Sequence, residues 1–93
     1  MYNPDATREK HATAKFFIGF RLNGLAAGET ITLCTAASSP AGLILTGNVV
    51  IDGATITQFI EGGTAGTDYN VRFHYTTSLG IQDDLDYLVK VIA

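Results

Sequence analysis

Apolar and polar residues alternate at period two along most of the chain, the spacing of half-buried strands rather than of helices. Over 14–22, Phe16, Ile18, Phe20 and Leu22 fall on one face, and Lys15, Phe17, Gly19 and Arg21 fall on the other. Asn23-Gly24 and Ala27-Gly28 then mark a turn or short loop. A second strand is predicted over 30–36, where Ile31 and Leu33 alternate with Thr30, Thr32 and Cys34, so that the thiol falls opposite the two aliphatic side chains. Ser38-Ser39-Pro40-Ala41-Gly42 breaks the pattern, since proline cannot donate to a central ladder, and a second sheet is expected to begin there. Two short apolar runs, 43–46 and 49–51, flank Gly47-Asn48, and Asp52-Gly53 marks 49–60 as a hairpin. After a glycine-rich corner at 61–68 comes the most regular strand, 69–77. Its apolar face carries Tyr69, Val71, Phe73 and Tyr75, and its polar face Asn70, Arg72, His74 and Thr76. Ser78-Leu79-Gly80 turns the chain into a last strand over 84–92, with Leu85, Tyr87, Val89 and Val91 inward, while Leu88 and Ile92 leave the outer face partly apolar.

Short strands cut by turn signals every 8–12 residues or so predict an all-β fold, an immunoglobulin-like β-sandwich of about seven antiparallel strands. The sandwich is assigned to residues 14–93. Residues 1–13 are read as a polar N-terminal tail, because Asp5–Ala14 offers a helix cap after Pro4 but no apolar stripe to bury. A chain of 93 residues, 46% hydrophobic and 16% charged, supports one core. No apolar run approaches the roughly 20 residues that span a bilayer, and the polar opening carries no secretion signal, so no membrane partner is expected. The single cysteine, Cys34, makes no internal disulfide and fits folding in a reducing cytoplasm. With a net charge of -3 and six scattered basic residues, the chain has no basic stripe for nucleic acid.

Searches for catalytic chemistry end in ordinary structural readings. His11 and His74 are too few for a metal cage, and no Cys-x-x-Cys or His-x-x-x-His occurs. Asp83, Asp84 and Asp86 lack the spacing of a calcium loop and are read as a solvated stretch that discourages edge pairing. Cys34 and Ser38-Ser39 lack a flanking base or a nucleophile elbow. Gly62-Gly63-Thr64-Ala65-Gly66 is followed by no Lys-Ser or Lys-Thr and reads as a strand connection. No enzyme activity, cofactor or metal is expected.

Ala65-Gly66-Thr67-Asp68-Tyr69-Asn70-Val71 resembles the tyrosine corner of immunoglobulin-like domains, with Tyr69 at the start of a late strand and its phenol free to bond upstream backbone. Val71 stands where antibody domains carry a cysteine, and the chain has no tryptophan. Leu25-Ala26-Ala27-Gly28-Glu29-Thr30-Ile31, the run from Ile51 through Gly62-Gly63-Thr64-Ala65-Gly66-Thr67 to Tyr69, and Thr76-Thr77-Ser78-Leu79-Gly80 together resemble small tailed-phage proteins of immunoglobulin-like character, of the fiber-tail adaptor or head-decoration type. The resemblance covers roughly 16–92; within it, Gln58 stands where an aliphatic residue is more usual.

That resemblance implies a structural component of a phage or prophage virion, assembled in the host cytoplasm. It would act by docking on a capsid, neck, tail or fiber protein, as a homo-oligomer or in multiple copies. Phe17, Phe59, Leu88 and Ile92 are the candidate docking residues, since large apolar side chains on outer faces are unusual for a lone domain. An adhesive or carbohydrate-binding immunoglobulin-like module is the alternative.

Overall fold

The computed structural model describes residues 4–22 and 25–93. The Asn23-Gly24 turn lies outside them. Seven strands follow in order: β1 (Ala6–His11), β2 (Phe16–Arg21), β3 (Ile31–Ser39), β4 (Leu43–Asp52), β5 (Thr55–Gly62), β6 (Asp68–Thr77) and β7 (Gln82–Ile92). They form a four-stranded sheet ordered β1-β7-β6-β3 and a three-stranded sheet ordered β2-β5-β4. The architecture is an immunoglobulin-like β-sandwich, and there is no helix among the described residues.

Between the sheets lies a core built from the inward faces that the alternation predicts. Ile18, Ile56 and Ile60 from the smaller sheet meet Tyr69, Val71, Phe73, Val89 and Val91 from the larger one, all buried. Phe20 crosses the gap and packs edge-on against both Phe73 and Tyr87, each at a centroid distance of 5.6 Å. The β4–β5 hairpin closes through Gly53-Ala54, with Gly53 at φ 60° in the first loop position. As expected, the chain changes sheets between Ser39 and Leu43.

The polar N-terminal segment is not a tail. Residues 6–11 form β1, which pairs in parallel with β7, so the strands are not all antiparallel. Arg8 and Lys10 share one face of β1, Arg8 exposed and Lys10 buried, and both charged side chains find partners. Arg8 lies over the Phe16 ring at 3.8 Å. Lys10, only 1% exposed, donates to the carbonyls of Gly62 (2.6 Å), His11 (2.9 Å) and Ala12 (3.4 Å). An apolar stripe is therefore not needed: the strand is held by backbone pairing to β7 and by these caps. From Tyr87 to Ile92 β7 is covered by β1, and the Asp86 backbone is bonded to Asp5, so Asp86 does not guard an open edge, whereas Asp83 and Asp84 lie before the paired stretch.

Two bulges correct the facing expected from strict alternation. Ile31 pairs with Thr77 but Leu33 with Thr76, so β3 contains one extra residue and its faces swap. Ile31 and Cys34 are consequently both buried and Leu33 is 57% exposed, the reverse of the expected opposition of the thiol to Ile31. In β4, Thr46 pairs with Phe59 and Val50 with Thr57, so two extra residues are accommodated and the facing is kept. The two short apolar runs thus belong to one strand. Gln58, 3% exposed and facing inward, donates its amide to the carbonyls of Thr46 (3.0 Å), Gly47 (3.2 Å) and Phe59 (3.0 Å), two of which lie in the bulge.

Residues 62–68 cross between the sheets. There the Tyr69 hydroxyl accepts a hydrogen bond from the Thr64 amide at 2.9 Å. Gly63, at φ 94°, lies so close that an added Cβ would sit 2.8 Å from Val91 Cγ2 and 3.4 Å from the Tyr69 ring. Gly66 shares a positive φ of 86° but has open space around it. Gly66→Ala should cost the backbone strain alone, about 1–2 kcal/mol, whereas Gly63→Ala should cost clearly more. Urea titration of the two variants checks this, and equal midpoints would contradict the packing described.

Candidate functional site

The two outer faces of the sandwich differ in chemistry. On the larger sheet, cross-strand register sets Arg72 beside Asp86 and His74 beside Asp84. Arg72 donates to both Asp86 oxygens (2.8 and 3.3 Å), and Asn70 donates to the same carboxylate at 3.2 Å. His74 Nδ1 lies 2.6 Å from Asp84 Oδ1, a His–carboxylate contact that sequence spacing did not show because it is made across the β6–β7 ladder. Both partners are about half exposed. This face is laced with polar contacts. Leu88 and Ile92 lie on it, half-buried, where β7 pairs with Thr7 and His11 of β1.

The outer face of the β2-β5-β4 sheet is apolar at its centre. Phe17 on β2 is paired directly with Phe59 on β5, and their rings meet edge-on at 5.0 Å. Phe17 remains 57% exposed and Phe59 is half-buried. Ile44 and Val50, both exposed, stand on the same face of β4, opposite Glu61 and Thr57 of β5. Glu61 at one end, where it accepts from the Thr46 hydroxyl at 2.8 Å, and Arg21 and Asp52 at the other give the apolar centre a polar rim. Of the four docking residues expected from the sequence, the structure brings Phe17 and Phe59 together and puts Leu88 and Ile92 on the opposite face. Ile44 and Val50 complete the patch. The period-two pattern of β4 carried the signal for both, but it was masked by reading that strand as two pieces.

A cleft of about 450 Å³ opens between β3 and β4, lined by Leu33, Cys34, Ala36, Val49, Ile51 and Gln58 among others. Its side chains hold no acid, base or activated nucleophile. Burial pushes the Cys34 thiol up to about 11, away from the thiolate that reacts or binds metal. Burial also holds the Lys10 ammonium below its ordinary value, with Glu61 acting in the opposite sense. Among the described residues, no group of three or more His, Cys, Asp or Glu side chains is placed to hold a metal ion.

A family model described as podophage GP4 fiber-tail adaptor protein gp77 matches residues 9–90. The match begins within β1 and ends within β7, so it takes in all of β2 to β6. The chain belongs to that family. No curated protein matches it.

Two measurements test this description. The Arg72 hydrogen bonds hold the Asp86 carboxyl below its ordinary value of 3.8, so the stability it contributes is complete above about pH 4 and is lost as pH falls through the folded-state value. Since the Arg72 side of the pair is largely exposed, Asp86→Asn should cost no more than about 1 kcal/mol at pH 7, and the two proteins should converge in strong acid. Chemical denaturation across pH measures both. Cys34 should react with iodoacetamide at pH 8 about a hundredfold more slowly in the folded protein than in the urea-unfolded chain; equal rates would contradict its burial.

Proposed function

We propose that the domain is a structural adaptor of the phage virion that joins tail and fiber proteins by docking, with the outer face of the β2-β5-β4 sheet as its principal contact. The observation that carries this reading is the Phe17–Phe59 pair, set edge-on at 5.0 Å and left open to solvent between Ile44 and Val50. Aromatic side chains in an apolar centre with a polar rim are what stable protein interfaces bury. Family membership supports the tail and fiber as partners. Leu88 and Ile92, on the opposite face, supply a second and weaker contact, and two opposed faces suit a protein that must hold two neighbours. Assembly takes place in the host cytoplasm, with several copies per particle.

The test is quantitative mass spectrometry of purified particles, with the chain counted against the major capsid protein for wild type and for Phe17→Asp. A low fixed ratio is expected for wild type, with at least about a tenfold loss in the variant, given that one buried carboxylate in an interface costs well over 1.4 kcal/mol. The variant's circular dichroism should match wild type, because Phe17 is outside the core. A ratio near that of the capsid protein would make the domain a head decoration. Absence from intact particles would remove the structural reading.

A further inference from the structure

The residues from Thr30 to Ile51 include no Asp, Glu, Lys, Arg or His; all nine acidic and all six Lys and Arg side chains fall outside them. These residues supply β3 and nearly all of β4, which are the edge strands of the two sheets on one flank of the sandwich. On the opposite flank the edges are β1 and β2, joined by the Arg8–Phe16 contact, and they carry the exposed Arg8, Glu9 and Arg21, with Lys15 just before β2. Charges of that kind are how sheets prevent edge-to-edge pairing. One flank is guarded and the other is not.

The unguarded flank is also shaped to receive a strand. Beyond its bulge, β3 runs in regular register from Leu33 to Ser39, with a ladder on its β6 side alone. Leu33 and Ile51 are exposed at the mouth of the β3–β4 cleft. We infer that a second copy of this chain docks on this flank, its β3 pairing antiparallel with β3 so that the two larger sheets join into one.

Two observations select a second copy as the occupant. With a net charge of -3, two copies repel each other, and this flank is where they meet with no charged side chain between them. The strand is self-complementary: an antiparallel pairing about Thr35 sets Leu33 against Ala37, and one about Ala36 sets it against Ser39, so the bulky residue meets a small one in both registers. The pairing uses neither Phe17 nor Phe59 and is independent of the docking role assigned to them.

Sedimentation velocity over a concentration series tests the inference on the intact chain. Wild type should show reversible dimerisation, and Phe17→Asp should dimerise equally well. Thr35→Lys, which sets two ammonium groups against each other across the pair, should weaken association at least about tenfold. Ala37→Lys, also exposed, should do the same, and matching circular dichroism and melting curves would show that both variants fold. A chain that stays monomeric up to about 1 mM, or a dimer indifferent to both lysines, would overturn the inference. Dissociation by Phe17→Asp alone would also overturn it, by moving self-association to the other face. Incorporation of Phe17→Asp into particles reads the docking role separately.

Discussion

The crossover at residues 62–68 is the constraint on which the rest of the sandwich depends. A chain leaving one sheet for the other must expose backbone groups that no strand can pair, and burying them unpaired is costly. Here two side chains from outside the crossover satisfy them. The Lys10 ammonium takes the Gly62 carbonyl, and the Tyr69 hydroxyl takes the Thr64 amide. Backbone bonds from Gly66 to Val91 and from Val91 to Thr67 add β7 to the same knot. Gly42, at the entry to β4, faces the Tyr69 hydroxyl so closely that an added Cβ would lie 2.7 Å from it. Strands β1, β4, β5, β6 and β7 therefore all converge on one short segment. Within it, position 63 is glycine because the Tyr69 ring and the Val91 isopropyl group occupy the space that a side chain would need.

Much of the fold was legible because period-two alternation reports directly which face of a strand is dry. It held for β2, β6 and β7, where the inward residues named from the sequence are those in the core. The failures have two physical sources. In β3, one extra residue reverses the faces beyond it, whereas the two extra residues of β4 restore them, so the same reading fails on one strand and survives on its neighbour. A bulge lies in the pairing of two strands and leaves no mark in the periodicity of one. β1 was missed for another reason: its buried side chain is Lys10, and a strand whose dry position is charged reads as solvated chain until its partners are known.

The candidate site was legible in part for the same reasons. Phe17 and Phe59 stand out as large apolar residues at outward positions, and the hairpin register brings them together. Leu88 and Ile92 satisfy the same criterion, yet they lie on the other sheet, half-buried beside β1, because alternation assigns a face within a strand but not which sheet that strand joins. The polar contacts of Arg72, Asn70 and His74 with Asp86 and Asp84 become visible only with the β6–β7 register in hand.

β4 ties the two apolar regions of the surface together. Its outward residues Ile44 and Val50 belong to the Phe17 face, and its inward residues Val49 and Ile51 line the cleft toward β3. Alternate side chains of one strand thus serve two surfaces that meet along it. The bulge between Thr46 and Val50 fixes their spacing, and Gln58 holds that bulge through the Thr46 and Gly47 carbonyls. An aliphatic residue at position 58 would fill the same volume but leave those carbonyls without their donor, and the loss would fall at the junction of both surfaces. A polar residue in the core at this point is therefore better explained by the shape of β4 than by any chemistry of its own.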